Sequence, residues 1–398
     1  MNKIFRMAFV GLSLILVAIS CVGQVPGDKQ KELAAHIKRA ADYLRDKRPD
    51  LAISEFQAAV AIDPENVEAQ GNVGVLLFFQ GRPAEAIPHF RAALKLHAGM
   101  ARIEGLLGIA EQRTSDFASA RKDLEAAFPL IGDRKFKIEV GLDLVGIDTQ
   151  TNDRDAAAEV IVQLRKAYPD DAEVLYAAYR TYTDLAGESM LMLSLAAPDS
   201  AQMHQLIAHE ESKQGNTNGA IKHYREAIQI NPRLPGVHFE LAELLHTSLD
   251  ANIKKDAEQE YRAALSANPE DVKTECRLAE IDAQKGDIAQ AFAEYSRAAE
   301  LEPADTDAKL GLAKTLIEMN QPDKALTLLE QTVQLEPTNA LAHYRLGTLY
   351  RKLGRLEEAQ REVELYKKYR EMKDKLRAIY KELQIQPNEI RNDEPDEK

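Results

Sequence analysis

An internal repeat of 34 residues constrains this 398-residue chain more than any other feature. Alanine recurs at this spacing, and a bulky apolar residue follows four positions later, as Phe56 follows Ala52. The marker alanines are Ala52, Ala86, Ala120, Ala157, Ala220, Ala257, Ala291, Ala325 and Ala359. A fixed period of this length predicts a stack of small supersecondary units, rather than the two or three globular domains that chain length alone favours.

The copies also contain the residues that end helices and form turns in helical hairpins. Proline ends most copies, for example Pro64 and Pro232, because it cannot continue a helix. Glycine recurs where a turn between two helices is predicted, at Gly81, Gly215, Gly286 and Gly354. A single hairpin cannot bury its own apolar face, so successive hairpins must stack against one another.

These residues resemble the tetratricopeptide repeat (TPR) family, and an exported bacterial member of lipoprotein type in particular. The clearest copy runs from Ala340 to Ala359 and contains the pair Leu346-Gly347 and Tyr350, although the family's first-helix tryptophan is absent. The resemblance implies an all-α fold, an α-solenoid in which antiparallel helix hairpins form a right-handed superhelix with a C-terminal capping helix. We identify nine repeats, at 33–66, 67–100, 101–134, 138–171, 201–234, 235–271, 272–305, 306–339 and 340–373.

The array is interrupted once, between the fourth and fifth of these repeats. Residues 172–200 begin with a tyrosine-rich helix (Tyr176, Tyr179 and Tyr182), but the second half lacks the marker alanine and contains Met190 to Leu193. We predict a degenerate, shortened hairpin there. It is a packed repeat that has diverged, a joint between two sub-arrays, or a methionine-lined binding spot.

The N-terminus is typical of an export signal. Lys3 and Arg6 precede thirteen uncharged residues, Met7 to Ile19, a stretch too short to cross a ~30 Å hydrocarbon core as a helix. Residues 1–20 are therefore predicted to be a signal peptide, with a linker at 21–32.

The signal ends in Ser20-Cys21, which resembles a bacterial lipobox, so Cys21 is a predicted lipidation site. Ordinary cleavage, after Ser20 or Gly23, is the alternative. Both interpretations export the protein, to the periplasm with or without a lipid anchor, or as a secreted protein. The membrane is otherwise not a predicted partner.

The C-terminal end is predicted to continue as a helix beyond the last repeat, through 374–386, before an acidic disordered tail at 387–398. Apolar residues spaced by four and three form a heptad seam: Leu365, Tyr369, Met372, Leu376, Ile379 and Leu383. The seam serves either to cap the array or to form a homodimer.

Sequence motifs for catalysis are missing from the chain. His204 and His209 are five residues apart, which does not match a metal pair on one helical face, and we predict no metal or cofactor. Cys276 is predicted to be a packed thiol. The net charge of −13 argues against nucleic-acid binding. The chain is accounted for by the repeats, the signal peptide, the capping helix and the tail, which leaves no segment long enough for a catalytic domain. A non-enzymatic role is therefore expected.

The resemblance implies that partners bind on the face formed by the first helix of each repeat. Projected on this sequence, the N-terminal half of that face is apolar and the C-terminal half is basic. The N-terminal candidates are Ile37, Leu44, Val75, Phe78, Phe79 and Ile109. The C-terminal candidates are Lys273, Lys314, Tyr344, Arg351 and Lys352.

We therefore predict a protein–protein interaction scaffold of the bacterial cell envelope, holding a partner peptide or helix in its groove. The alternatives are an enzyme subunit that binds glycan or peptidoglycan, with the three tyrosines Tyr176, Tyr179 and Tyr182 as its aromatic cluster, and a self-assembling structural array.

Overall fold

The computed structural model describes residues 27–247 and 256–382. The predicted signal at 1–20, Cys21, Leu383 and the predicted tail lie outside these ranges. Within them the chain forms nineteen α-helices. In chain order they are α1 Gly27–Arg45, α2 Pro49–Ile62, α3 Val67–Phe79, α4 Pro83–Leu96, α5 Ala101–Arg113, α6 Phe117–Ala127, α7 Arg134–Gln150, α8 Arg154–Ala167, α9 Ala172–Ala196, α10 Ala201–Lys213, α11 Thr217–Ile230, α12 Val237–His246, α13 Ala257–Ala267, α14 Val272–Lys285, α15 Ile288–Leu301, α16 Thr306–Glu318, α17 Pro322–Leu335, α18 Ala340–Lys352 and α19 Leu356–Glu382.

Local sequence sets where these helices begin and turn. Short polar side chains cap many N-termini; Asn66, for example, accepts a hydrogen bond from the Ala69 amide at the start of α3. The predicted turn glycines have positive φ angles, such as 77° at Gly81 and 87° at Gly286. A residue with a Cβ is strained in this conformation, so glycine there turns the chain from one helix into the next.

The marker residues form the core between paired helices. All nine marker alanines are buried, as are the bulky residues Phe56, Phe90 and Tyr261. Cys276 is buried as well, as predicted. Helices pack with their neighbours in chain order from α1 to α8 and from α10 to α19, which is the packing expected of stacked hairpins.

The chain divides into two compact units, Met1–Met192 and Leu193–Lys398, and the division falls near the end of α9. In the first unit, α1 to α8 make four hairpins, followed by α9. In the second unit, α10 to α19 make five. The predicted all-α solenoid fold is confirmed.

The predicted hairpin at 172–200 is wrong, because residues 172–196 form one uninterrupted helix of 25 residues. The segment contains no proline before Pro198, and Gly187 lies in the helix without a positive φ. Leu, Ala, Met and Glu around this glycine are good helix formers, so helix continues where a turn was expected.

One predicted boundary also differs from the structure, and another agrees with it. Residues 27–32 belong to α1 rather than to a linker, since Lys29 to Glu32 are helix formers with no breaking residue before Leu33. At the other end, α19 runs without interruption from the last repeat through the predicted extension to Glu382. Among the described residues, no helix is both long enough and apolar enough to cross a membrane.

Candidate functional site

Helix α9 exposes an apolar face that its position in the fold would normally bury. Leu175, Tyr176 and Tyr179 are exposed, with 64% of Tyr176 and 68% of Tyr179 accessible, and Met190 is exposed further along. Leu175, Tyr179 and Met190 are four and eleven residues apart, a spacing that places them along one side of the helix. Large exposed apolar stretches of this kind are typical of interaction sites.

Tyr179 occupies a position that is small and buried in most hairpins. Counted from the start of each repeat, it is the eighth residue. The equivalent residues are Ala40, Gly74, Gly108, Val145, Ala208, Ala242, Ala279, Ala313 and Gly347, all of them buried and all but Val145 alanine or glycine. At Gly74 a Cβ would lie only 2.6 Å from the Phe90 ring of the hairpin's second helix. The side of α9 that carries Tyr179 is therefore the side that a second helix covers elsewhere.

The opposite side of α9 anchors it to the preceding hairpin. Val174, Ala178 and Thr181 are buried, and Ala178 packs in a cluster with Ile161 of α8. Further along, Arg154 at the start of α8 lies 3.1 Å from Glu188. Helix α9 is thus held on α8 with one face packed and the other exposed.

The predicted apolar groove of the N-terminal half is only partly accessible. Val75, Phe78 and Ile109 are buried in the core of the first unit and offer little surface to a partner, so their role as partner-binding residues stays a prediction. The Phe78 ring packs edge-on against Phe79 and lies 4.3 Å from the Arg113 guanidinium. These helices are apolar on several faces, and sequence spacing alone does not separate the core face from the open one.

The remaining residues of that set occupy intermediate positions. Ile37 and Leu44 are half-buried and pack against the core of the first unit. Phe79 is 39% exposed, and it is the one candidate in this set whose side chain extends well into solvent.

The predicted basic set lies on the first helices of the last three hairpins. Lys273 on α14 and Arg351 and Lys352 on α18 are exposed, while Lys314 on α16 is half-buried. Tyr344 is half-buried too, and its ring packs 5.2 Å from that of Tyr366. The structure therefore places these residues on successive first helices, as the repeat period predicts.

The predicted seam divides into two parts. Leu365 and Tyr369 are half-buried, and the Tyr369 ring stacks 5.4 Å from His343 of α18. Met372, Leu376 and Ile379 are exposed. The first part caps the last hairpin, while dimerisation through the second part stays a prediction.

A row of polar side-chain pairs, each joining the two helices of one hairpin, was not predicted from the sequence. The fourth residue of a repeat contacts a residue nineteen positions later, on the second helix: His36 Nδ1 lies 2.6 Å from Glu55, and His343 Nδ1 lies 2.5 Å from Glu362. The separation is nineteen where the hairpin turns have the same length, and it is 22 between His238 and Glu260 in the repeat that is three residues longer. This regularity is the signal that would have revealed the pairs.

Burial perturbs several carboxyl groups in the first unit. Burial raises the pKa of Asp143 on α7 to about 6, and the neighbouring carboxylate of Glu139 adds to the shift. Burial likewise raises the pKa of Asp148 to about 6, against the lowering effect of the Arg121 charge. These groups lie among packed helices, and burial in the fold accounts for shifts of this kind without a functional site.

Comparison with known proteins agrees with the repeat assignment. Tetratricopeptide repeat profiles match residues 37–101, 282–333 and 316–371, and a TPR repeat profile matches residues 208–248. The hairpins and these matches together define the class: this is a tetratricopeptide repeat protein, with matched repeats in both compact units. Repeats of this kind support a general function as a protein–protein interaction scaffold.

The curated relatives that match share only part of their length with this chain. Anaphase-promoting complex subunit 3 of Schizosaccharomyces pombe is 27% identical over 152 residues, which is 38% of this chain and 22% of the relative. The TPR repeat-containing thioredoxin TTL4 of Arabidopsis thaliana is 32% identical over 99 residues, 25% of this chain and 14% of the relative. This chain thus spans about a fifth or less of these two proteins.

Among solved structures, the protein MamA is similar in its helical fold. It is 21% identical, with a TM-score of 0.37, over 42% of this chain and 97% of MamA.

Proposed function

We propose that this protein is a non-catalytic scaffold that holds a helical segment of a partner protein on the exposed face of α9. The observation that carries the proposal is the exposure of Tyr179, 68% accessible at a repeat position that is buried in the nine hairpins and is alanine or glycine in all but one of them. Tyrosine is favoured at binding surfaces, because its ring supplies apolar area and its hydroxyl supplies a hydrogen bond at the rim.

The fold indicates what kind of partner fits this face. In the other hairpins an antiparallel helix packs against the equivalent side of the first helix. An amphipathic helix presenting apolar residues at positions i, i+3 or i+4, and i+7 would complete α9 in the same way. Leu175, Tyr179 and Met190 would contact its apolar stripe, and Tyr176 would lie at the edge.

The test is partner capture by purified full-length variants. We expect Leu175→Ser with Tyr179→Ser to lose a partner that the wild-type protein retains, because the change removes apolar contact area without touching the packed side of α9. The matched control is Leu130→Ser, since Leu130 is 63% exposed elsewhere in the first unit. Circular dichroism verifies that both variants are folded. Equal capture by wild type and the double variant would contradict the proposal.

We further propose that the scaffold acts in the cell envelope, exported by its N-terminal signal and anchored through a lipid on Cys21. The support is the order of residues: two basic residues, thirteen uncharged ones and Ser20-Cys21. In the native cells, Cys21→Ser is expected to move the protein from the membrane fraction to the soluble envelope fraction. Unchanged fractionation would favour ordinary cleavage.

The basic residues Lys273, Arg351 and Lys352 support a second contact, with an acidic segment of a partner. Replacing these three residues by glutamine should then make partner capture less sensitive to salt.

The alternatives to the scaffold are the glycan-binding enzyme subunit and the self-assembling array.

A further inference from the structure

The first hairpin of the second unit carries a cluster unlike the polar pairs of its neighbours. His204 of α10 faces both His223 and Glu226 of α11, and three atoms converge there: the two Nδ1 atoms and Oε2 of Glu226. The Nδ1 atoms are 2.9 Å apart, and Oε2 lies 3.1 Å from His204 Nδ1 and 3.0 Å from His223 Nδ1. Each side chain is between 18% and 34% exposed, so the cluster is accessible from solvent.

The equivalent positions in neighbouring hairpins are chemically complementary. His238 Nδ1 lies 2.7 Å from Glu260 Oε2, and Gln70 Oε1 lies 2.7 Å from His89 Nδ1. Each of these pairs joins one ring N–H to one oxygen, so a single proton satisfies both partners. Such a pair has no requirement for an ion.

The cluster of His204, His223 and Glu226 cannot be satisfied in that way. Each imidazole nitrogen has one in-plane direction for either a proton or a lone pair, and therefore makes one directed bond. One proton serves only one of the three short separations. If both rings carry a proton on Nδ1 and donate to Oε2, the two nitrogens still lie 2.9 Å apart with no hydrogen bond between them. A cation at the point where the three atoms converge accepts all the lone pairs at once.

The spacing of the three atoms fits a metal ion. Donors about 2.1 Å from a metal and at right angles to one another are about 3.0 Å apart, close to all three distances here. Two histidines and one carboxylate on one face are a known ligand set for divalent transition metals, with the remaining coordination positions open. The other carboxylate oxygen, Oε1 of Glu226, lies 3.8 Å from Lys222 Nζ, so Oε2 is the oxygen available as a ligand.

We propose that His204, His223 and Glu226 bind a divalent first-row transition metal ion, through the two Nδ1 atoms and one carboxylate oxygen. The ion joins α10 to α11 and stabilises the first hairpin of the second unit. Its open coordination positions face outward, where water or a side chain of a partner can bind.

The test is titration of the full-length protein, without a histidine tag, with Zn²⁺ in a calorimeter. We expect one site in the wild type, and at least ~10-fold weaker binding in both His223→Gln and Glu226→Gln, since loss of a direct ligand costs no less than loss of a supporting residue. The matched control is His238→Gln, which changes the residue of the next hairpin that corresponds to His204 and should leave the affinity unchanged. Co²⁺ provides a second readout, because its visible absorption reports nitrogen and oxygen ligation.

Glu226 is the most exposed of the three ligands, so Glu226→Gln keeps the test decisive even if a histidine variant fails to fold. The proposal is overturned if Zn²⁺ does not bind to the wild type, if Glu226→Gln binds it as tightly as the wild type, or if His238→Gln loses binding to the same extent.

Discussion

Arg277 of α14 holds Glu243 of α12 through two hydrogen bonds, 2.6 and 2.7 Å long, between first helices of successive repeats. The Tyr261 hydroxyl of α13 donates a third bond to the same carboxylate, at 2.5 Å. Burial alone would raise the pKa of Glu243, but the hydrogen bonds and charge of Arg277 lower it below its usual value. This pair fixes the register of one hairpin on the next.

Glu243→Gln should destabilise the second unit by about 2 kcal/mol, because it removes the bidentate partner of the mostly buried Arg277 guanidinium and leaves only the more exposed Glu280 as its opposite charge. Hydrogen exchange of α12 and α14 measures the effect locally. The control is Glu85→Gln, which breaks the exposed ion pair of Glu85 with Arg82 and should change nothing measurable. Equal protection of wild type and Glu243→Gln would show that the pair is not stabilising.

Gly74→Ala should destabilise the first unit, although alanine favours helix by about 1 kcal/mol. The new Cβ would lie 2.6 Å from the fully buried Phe90 ring, and overpacking of this kind costs about 1–3 kcal/mol. Gly146→Ala in α7 is the matched control: no atom lies within 4 Å of its Cβ, so the midpoint of heat unfolding should rise. If both substitutions raised it, the close approach at Gly74 would be disproved.

Asp143 should make the first unit less stable as the pH rises from about 4 to 6. Its carboxyl pKa is raised by burial to about 6, so the folded state keeps a proton that the unfolded chain releases. The stability gained by Asp143→Asn relative to the wild type should therefore be about 2 kcal/mol larger at pH 7.5 than at pH 4.5. Hydrogen exchange of α7 at the two pH values measures this. A variant that is equally destabilised at both would contradict the assignment.

Periodicity predicted the core of each hairpin. A marker such as Ala52 is conspicuous because only a small side chain fits where two helices cross, and the structure buries all nine markers. Gly81 and Gly286 are equally informative, since a positive φ favours one residue type.

The binding sites were harder to predict than the core, because they depend on which faces of a helix are covered by other helices. Phe78 and Phe79 are adjacent and chemically identical, yet the first is buried and the second exposed. The length of α9 was not predicted, because the absence of a marker alanine does not show whether the chain turns or continues as a helix. His204 was compared with His209 nearby, whereas its contact is His223, nineteen residues away on the facing helix.

The measurement that most directly tests the proposed scaffold is site-specific photo-crosslinking in the native cells. A photoreactive phenylalanine derivative replaces Tyr179 on α9 in one variant and the equally exposed Leu130 in the control. We predict that position 179 crosslinks to a second protein and that position 130 does not. The crosslinked peptide of that protein should have the apolar spacing of an amphipathic helix. No crosslink at 179, or one only to another copy of this chain, would contradict the account.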